Sequence, residues 1–163
     1  MLARGRLIRT HSTRGNPMAT STQTRSLSDL SGVRRAALVG YRWLVLAFLL
    51  AGCAQVFLAG LGVFSFGNGD AAGGSSAFDA HRAVGFSLAG AAVVILILAL
   101  VARPGVLPTS LAGVLVVQTC VLQSLLDGLA DNTAVYGGLH ALDGILILGI
   151  AGFLYASARR WRS

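Results

Sequence analysis

Four long apolar runs constrain the fold of this sequence more than any other feature. A helix needs about 20 consecutive apolar residues to cross roughly 30 Å of hydrocarbon. The runs cover about 43–64, 78–101, 107–128 and 135–158. Only 12% of the 163 residues are charged, which is about half the share typical of soluble domains. The sequence therefore predicts an all-α integral membrane protein whose four spans form an antiparallel four-helix bundle.

The distribution of arginine predicts the orientation of the bundle. The chain has a net charge of +7, with arginine but no lysine and aspartate but no glutamate, a usage typical of GC-rich bacterial genomes. Nearly all arginines lie in the tail 1–36, at Arg103 between spans two and three, and in the basic end 159–163. The connections 65–80 and 129–134 have none. Because basic residues are enriched in cytoplasmic loops, both termini are predicted to be cytoplasmic and the protein to lie in the cell membrane.

Residues 1–36 are rich in Arg, Ser, Thr and Gly and have no apolar periodicity. They are predicted to form a disordered tail, followed by a transmembrane domain over 37–158. Met18 is an alternative start to Met1. Basic residues beside a membrane attract anionic lipid, and no aromatic-interleaved basic patch indicates nucleic acid. The lipid bilayer is the predicted partner, and a membrane protein partner or a second copy of the chain stays open.

The two cysteines lie inside apolar runs, so they are predicted to be free and buried as small hydrophobic residues. Residues 50–53, Leu-Ala-Gly-Cys, also fit the signal at which bacterial lipoproteins are cleaved and lipidated at the cysteine, here Cys53. The apolar run continues beyond Cys53 to about Val63, which favours a span over a cleaved signal. Two helix starts are also predicted: a capping box at 76–79 before the second span, and a cap before the fourth from the polar loop Asp131, Asn132 and Thr133.

The chain is interpreted as a helix pair used twice, with chance similarity among Leu-, Ala- and Gly-rich helices as the alternative. The first helix of each pair contains the pattern Gln-x-x-Leu-x-Gly-Leu, and the second contains a histidine followed four residues later by glycine. The matched residues are Gln55 and Gln123, His81 and His140, and Gly85 and Gly144. Parallel repeats are common in membrane bundles.

His81 and His140 are the candidate ligands of a metal. Each lies five to seven residues into its helix, so at about 1.5 Å per residue the two imidazoles differ in depth by only a few ångströms. Imidazole is a common ligand of haem iron, and bundles hold cofactors between facing helices. Gly85 and Gly144 would leave room for a macrocycle beside the histidines, and Arg82 would pair with a haem propionate. These are the predicted cofactor-binding residues.

Other interpretations of the same residues stay open. A histidine in a membrane helix can be a hydrogen-bonded packing residue, and glycine often serves close helix packing. Asp143, one turn from His140, is predicted to be functional because an ionisable group inside a span is costly; it would be a third metal ligand or an acceptor that orients an imidazole. The intramembrane glutamines would be hydrogen-bond partners between helices: Gln55, Gln118 and Gln123.

The same motifs resemble one four-helix half of haem A synthase over about residues 40–158: Gln-x-x-Leu-x-Gly in the first span, His-Arg-x-x-Gly in the second and Leu-His in the fourth. In that family, histidines of the second and fourth helices ligate b-type haem, which implies this role for His81 and His140. The family's catalytic glutamate has no counterpart, because Phe78 stands there and the nearest acid is Asp79. Haem A synthesis is therefore not expected. The chain is also similar to a family of small four-span bacterial membrane proteins that share the His-Arg and Leu-His signatures.

The leading hypothesis from the sequence is a multi-pass membrane protein that binds haem b for electron transfer or haem handling. The first alternative is a cofactor-free membrane subunit or interaction protein, and the second is a small-solute or proton carrier that uses Asp143. No Ser-His-Asp set, phosphate-binding loop or pair of carboxylates indicates a turnover reaction, so no enzymatic activity is predicted.

Overall fold

The computed structural model describes residues 31–130 and 133–161. In this part of the chain, four helical spans are long and apolar enough to cross a membrane. The third span is interrupted by one turn of π-helix. The elements are α1 (Gly32–Gly67), α2 (Ala71–Ala102), α3 (Val106–Val117), the π-turn (Gln118–Leu122), α4 (Gln123–Ala130) and α5 (Ala134–Ala158). The predicted all-α membrane bundle of four helices is confirmed.

The four spans pack in a closed ring. The helix α1 contacts α2 and α5, while the third span, made of α3, the π-turn and α4, contacts the same two helices from the other side. Successive spans are therefore antiparallel neighbours, as their short connections predict. In this arrangement α2 and α5, which carry the two histidines, each lie between the first and third spans.

The apolar core fills the half of the bundle at which α1 begins and α5 ends. Fully buried residues on α1 recur every three or four positions, which places them on one helix face: Leu38, Tyr41, Val45 and Phe48. The facing helices contribute mainly small side chains: Ala92, Ala99, Ala112, Ala151 and Ala158. Small residues allow helix backbones to approach closely, which drives packing in membranes. The intramembrane glutamines, histidines and Asp143 lie in the other half of the bundle.

The connection between α1 and α2 is much shorter than the predicted loop 65–80. Only residues 68–70 separate the two helices, and the Asp70 side chain caps α2 by accepting a hydrogen bond from the Gly73 backbone N–H at 2.9 Å. The predicted capping box at 76–79 is wrong, because these residues lie inside α2. Aspartate is a strongly preferred N-cap, and Gly74 lets the Phe66 ring approach so closely that an added Cβ would lie 2.6 Å from it.

The first helix begins earlier than its apolar run. It starts at Gly32, so residues 32–36 of the predicted disordered tail are helical, and that boundary is wrong. The 36 residues of α1 measure about 54 Å at 1.5 Å per residue, well beyond the thickness of the hydrocarbon. The first turns of α1 pack on the rest of the bundle, since Ala37 and Leu38 are buried, and this packing allows the helix to extend past the hydrocarbon. Predictions about residues 1–30, including the choice between Met1 and Met18, lie outside the described residues.

Both cysteines are free, as predicted, but both are exposed on the outside of the bundle. The prediction that they are buried is wrong, because a small polarisable thiol is also compatible with a surface that faces lipid. The helix α1 continues without a break from Cys53 to Gly67, as expected of a span.

The helix α2 ends at Ala102 and is followed by Arg103, whose backbone adopts the left-handed conformation at φ 51°. The Thr133 hydroxyl accepts a hydrogen bond from the Val135 N–H at 3.4 Å, so the predicted capping of the fourth span by the loop 131–133 is confirmed, with Thr133 as the cap. Residues 131 and 132 lie outside the described part of the chain.

Candidate functional site

The two intramembrane histidines meet across the bundle. The ring centroids of His81 on α2 and His140 on α5 are 6.2 Å apart, with 53° between the ring planes. Both residues are half-buried. The prediction that the two imidazoles lie at the same depth and face one another is therefore confirmed, although they are 59 positions apart in the chain.

Each imidazole is held by a backbone carbonyl of the preceding span. The His81 Nδ1 lies 3.2 Å from the Gln55 carbonyl oxygen, and the His140 Nδ1 lies 3.3 Å from the Gln123 carbonyl oxygen. Because a carbonyl oxygen only accepts hydrogen bonds, Nδ1 must carry the proton and donate it. In a neutral ring this leaves the lone pair on Nε2. A hydrogen bond from the second ring nitrogen is the usual support of a histidine that binds a metal.

The separation of the rings fits two ligands on one metal ion. An imidazole nitrogen binds a metal at about 2.0 Å, and its ring centroid lies about 1 Å further back, so two rings on opposite sides of one ion have centroids roughly 6 Å apart. The observed 6.2 Å agrees with this arrangement. The chemistry of the donors and their spacing thus fit an iron with two axial imidazoles.

The glycines that follow the two histidines lie beside the glutamine of their own helix pair. A Cβ added to Gly85 would lie 3.1 Å from the Gln55 Nε2, which is a tight contact, and one added to Gly144 would lie 4.0 Å from the Gln123 Nε2, which is ordinary van der Waals contact. Gly85 thus makes room for Gln55, whereas the space at Gly144 would also accept a methyl group. The matching positions of the two glutamines support the interpretation of a repeated helix pair. The placing of a macrocycle beside the glycines stays a prediction.

Two phenylalanines form a stack beside His81, one near the end of α1 and one in the first turns of α2. Neither was predicted from the sequence to take part in the site. The Phe78 and His81 rings pack edge to face with centroids 6.4 Å apart, and Phe66 stacks on Phe78 at 6.0 Å. The spacing of Phe78 and His81, three residues apart on one helix, was the available signal.

The predicted propionate partner, Arg82, lies at the edge of this site. Its side chain is 56% exposed, and its Nη2 is 3.7 Å from the Asp79 carboxylate one turn earlier. An exposed pair of this kind contributes little to stability, so the guanidinium is accessible to another anion.

Asp143 lies in the second helix pair and is buried, with 4% of its surface exposed. Its carboxylate accepts hydrogen bonds from the side-chain amides of Gln118 and Gln123, each at 2.9 Å. The expected roles of Gln118 and Gln123 as partners between helices are confirmed. Gln55 contributes its backbone instead, and its buried side-chain oxygen lacks a partner in the described part of the chain.

Asp143 does not join the histidines as a third ligand. Within residues 31–130 and 133–161, no three His, Cys, Asp or Glu side chains are grouped so that they could hold a metal ion. Its hydrogen bonds go to the two glutamine amides and not to an imidazole. Any metal at this site therefore depends on the imidazole pair and on ligands that come with it, as the four nitrogens of a porphyrin do.

Comparisons with protein-family models, curated proteins and solved structures find no match for this chain. The resemblance to half of haem A synthase therefore stays a prediction, and a function can be proposed for this chain only from the geometry of its site.

Proposed function

We propose that this membrane bundle binds one b-type haem, with His81 and His140 as its axial ligands. The observation that carries the proposal is the pair of imidazoles 6.2 Å apart, each with its Nδ1 on a backbone carbonyl and hence its Nε2 free for iron.

The ligand set favours electron transfer or haem handling over catalysis at the iron. A bound haem supplies an iron that alternates between the ferric and ferrous states. If His81 and His140 both held the iron, no position would be left on it for a substrate. The carbonyls of Gln55 and Gln123 fix the orientation of the rings, so the ligands change little between oxidation states.

The membrane orientation is part of the proposal. The described arginines other than Arg82 lie near the bundle end at which α1 begins and α5 ends: Arg34, Arg35, Arg42, Arg103, Arg159 and Arg160. Because arginine is retained on the cytoplasmic side, both termini are cytoplasmic in the cell membrane, and the histidine pair lies in the outer half of the bilayer.

A second candidate is a cofactor-free subunit that contacts a membrane protein or another copy of the chain. The observation that favours it is a shallow apolar groove on the outer face of α1, lined by Val56, Phe57, Gly60, Leu61 and Phe64. In this function the histidines would serve only as hydrogen-bonding residues, which link α2 to α1 and α5 to α4. A carrier of protons or small solutes would instead use Asp143.

A haem titration separates these candidates. Haemin added to the purified full chain in detergent is expected to give a sharp Soret band that saturates at one haem per chain. Reduction with dithionite should yield the split α and β bands of a six-coordinate b-type haem. Empty detergent micelles and an unrelated four-span protein without intramembrane histidine are the controls. A spectrum identical to that of haemin in micelles would contradict the proposal.

A further inference from the structure

The two helix pairs differ in one respect that the repeat does not explain. In the second pair, the Asp143 carboxylate accepts hydrogen bonds from the side chains of both Gln118 and Gln123. The repeat places Val84 at the position of Asp143 and Leu50 at that of Gln118. A buried carboxylate is therefore an addition to one side of the histidine pair. Since an ionisable group inside a span is costly, it is usually retained for a function.

The π-turn builds the site that holds this carboxylate. In an α-helix, residues five apart point in different directions, whereas in a π-helix the hydrogen bond runs from i to i+5 and brings such residues close to one face. Here the Gln123 N–H donates to the Gln118 carbonyl across the turn. As a result, both amides reach one carboxylate, Gln118 at Oδ1 and Gln123 at Oδ2. Turns of this kind are frequent at functional sites.

Both oxygens of the Asp143 carboxylate accept a hydrogen bond from an amide N–H. The Gln123 Nε2 donates both to Asp143 and to the His140 carbonyl oxygen, at 2.9 and 3.0 Å. Because that carbonyl can only accept, the orientation of the Gln123 amide is fixed, and the carboxylate oxygen beside it must accept as well. The partners of Asp143 among the described residues are neutral amides, so they do not cancel its negative charge.

This charge lies close to one of the two proposed haem ligands. Asp143 is three residues after His140 on α5, and side chains at this spacing are neighbours on one helix face. The surroundings are apolar and Asp143 is 4% exposed, so solvent screens the charge only weakly.

Resting on the proposed function, we infer that Asp143 is a buried negative charge that stabilises the ferric over the ferrous haem and lowers the reduction potential of the site. Ferric haem carries one more positive charge than ferrous haem. By Coulomb's law, a unit charge roughly 10 Å from another at an effective dielectric constant of about 20 changes an equilibrium by roughly tenfold, so a negative charge beside a ligand would favour the ferric form by about that factor. Gln118 and Gln123 are the positioning residues that keep the carboxylate beside His140.

Redox titration of the haem-loaded full chain tests this inference through Asp143→Asn. The Gln118 amide can turn to accept from the new Asn N–H, so the variant removes the charge and keeps the shape. We expect the midpoint potential to rise by about 59 mV, which corresponds to the tenfold change for a one-electron couple. Asp70→Asn, which removes the same charge from an exposed position and keeps an N-cap on α2, is the matched control and should give less than about a third of that shift.

A midpoint potential of Asp143→Asn within error of the wild type, or an equal shift in Asp70→Asn, would overturn the inference. If Asp143→Asn fails to load haem, Gln118→Ala takes its place. This variant removes one of the two donors that hold the negative charge beside His140, so the midpoint potential should rise, and an unchanged or lower value overturns the inference. A wild-type chain that takes up no haem overturns the proposed function as well. Haem uptake that depends on both histidines, without these shifts, overturns only the inference about Asp143.

Discussion

Replacing either His81 or His140 by alanine is expected to weaken haem binding by more than about 100-fold, because removal of a ligand costs at least as much as the loss of its supporting hydrogen bond. The two imidazoles face one another at 6.2 Å, so each variant leaves a single axial ligand. Equilibrium titration followed by the Soret absorbance measures the change. Haem that remains should be five-coordinate and show a broadened, shifted Soret band.

Imidazole in the buffer provides the control for these variants. In His81→Ala and His140→Ala the missing ring leaves a space, and free imidazole should enter it and restore the six-coordinate spectrum. The Gln55→Ala variant should keep haem, because the His81 Nδ1 is bonded to the backbone carbonyl and not to the side chain. Full haem binding in both histidine variants would show that the ligands were assigned wrongly.

Replacing Gly62 by leucine is expected to lower the free energy of unfolding by about 1 to 3 kcal/mol, the usual range for an overpacked site. A Cβ at Gly62 would already lie 2.8 to 2.9 Å from three atoms of the Phe78 ring. That ring is held between Phe66 and His81, so it has little room to retreat. Unfolding of the detergent-solubilised protein by SDS, followed by circular dichroism, measures the loss.

Gly60→Leu is the matched control for this experiment. It lies two residues earlier on α1, and a Cβ there meets no atom within 4 Å in the described structure. The two variants gain the same helix propensity from the loss of glycine, so their difference isolates the clash with Phe78. Equal stability of the two variants would contradict the packing described around His81.

The number of spans could be predicted from the sequence because apolar runs of about 20 residues identify spans. The similar depth of the histidines was predicted by counting from a helix start at residue 76, but α2 begins at Ala71 and α5 at Ala134, so His81 lies ten residues into its helix and His140 six. Their meeting across the bundle therefore depends on how the helices pack and not on that count. The repeated Gln and His motifs added the expectation that they face one bundle interior.

Helix boundaries could not be predicted from hydropathy, since it reports where lipid contacts the chain and not where the backbone stops being helical. The helix α1 continues to Gly32 beyond its apolar run, and α2 begins at Ala71 in a stretch rich in glycine. The start of α2 at Ala71 is fixed by the Asp70 side chain, which caps the helix ahead of the predicted capping box at 76–79. Tertiary contacts with Phe66 at Gly74 then offset the low helix propensity of glycine.

The details of the site were also beyond the sequence. Gln118 and Gln123 are five apart, a spacing that in an α-helix would point them in different directions, so their shared partner Asp143 depends on the π-turn. The bonds from the histidines use the carbonyl groups of Gln55 and Gln123, and a backbone acceptor leaves no trace in residue type. The exposure of Cys53 and Cys120 depends on how the helices are rotated about their axes, which packing decides.

The central claim is that His81 and His140 bind one haem iron from opposite sides. Electron paramagnetic resonance of the ferric, haem-loaded full chain tests it most directly, because the signal depends on the axial ligands. We expect a single low-spin species with two imidazole ligands, and we expect both His81→Ala and His140→Ala to abolish it. A high-spin signal from the wild type, or a low-spin signal that survives in either variant, would contradict it.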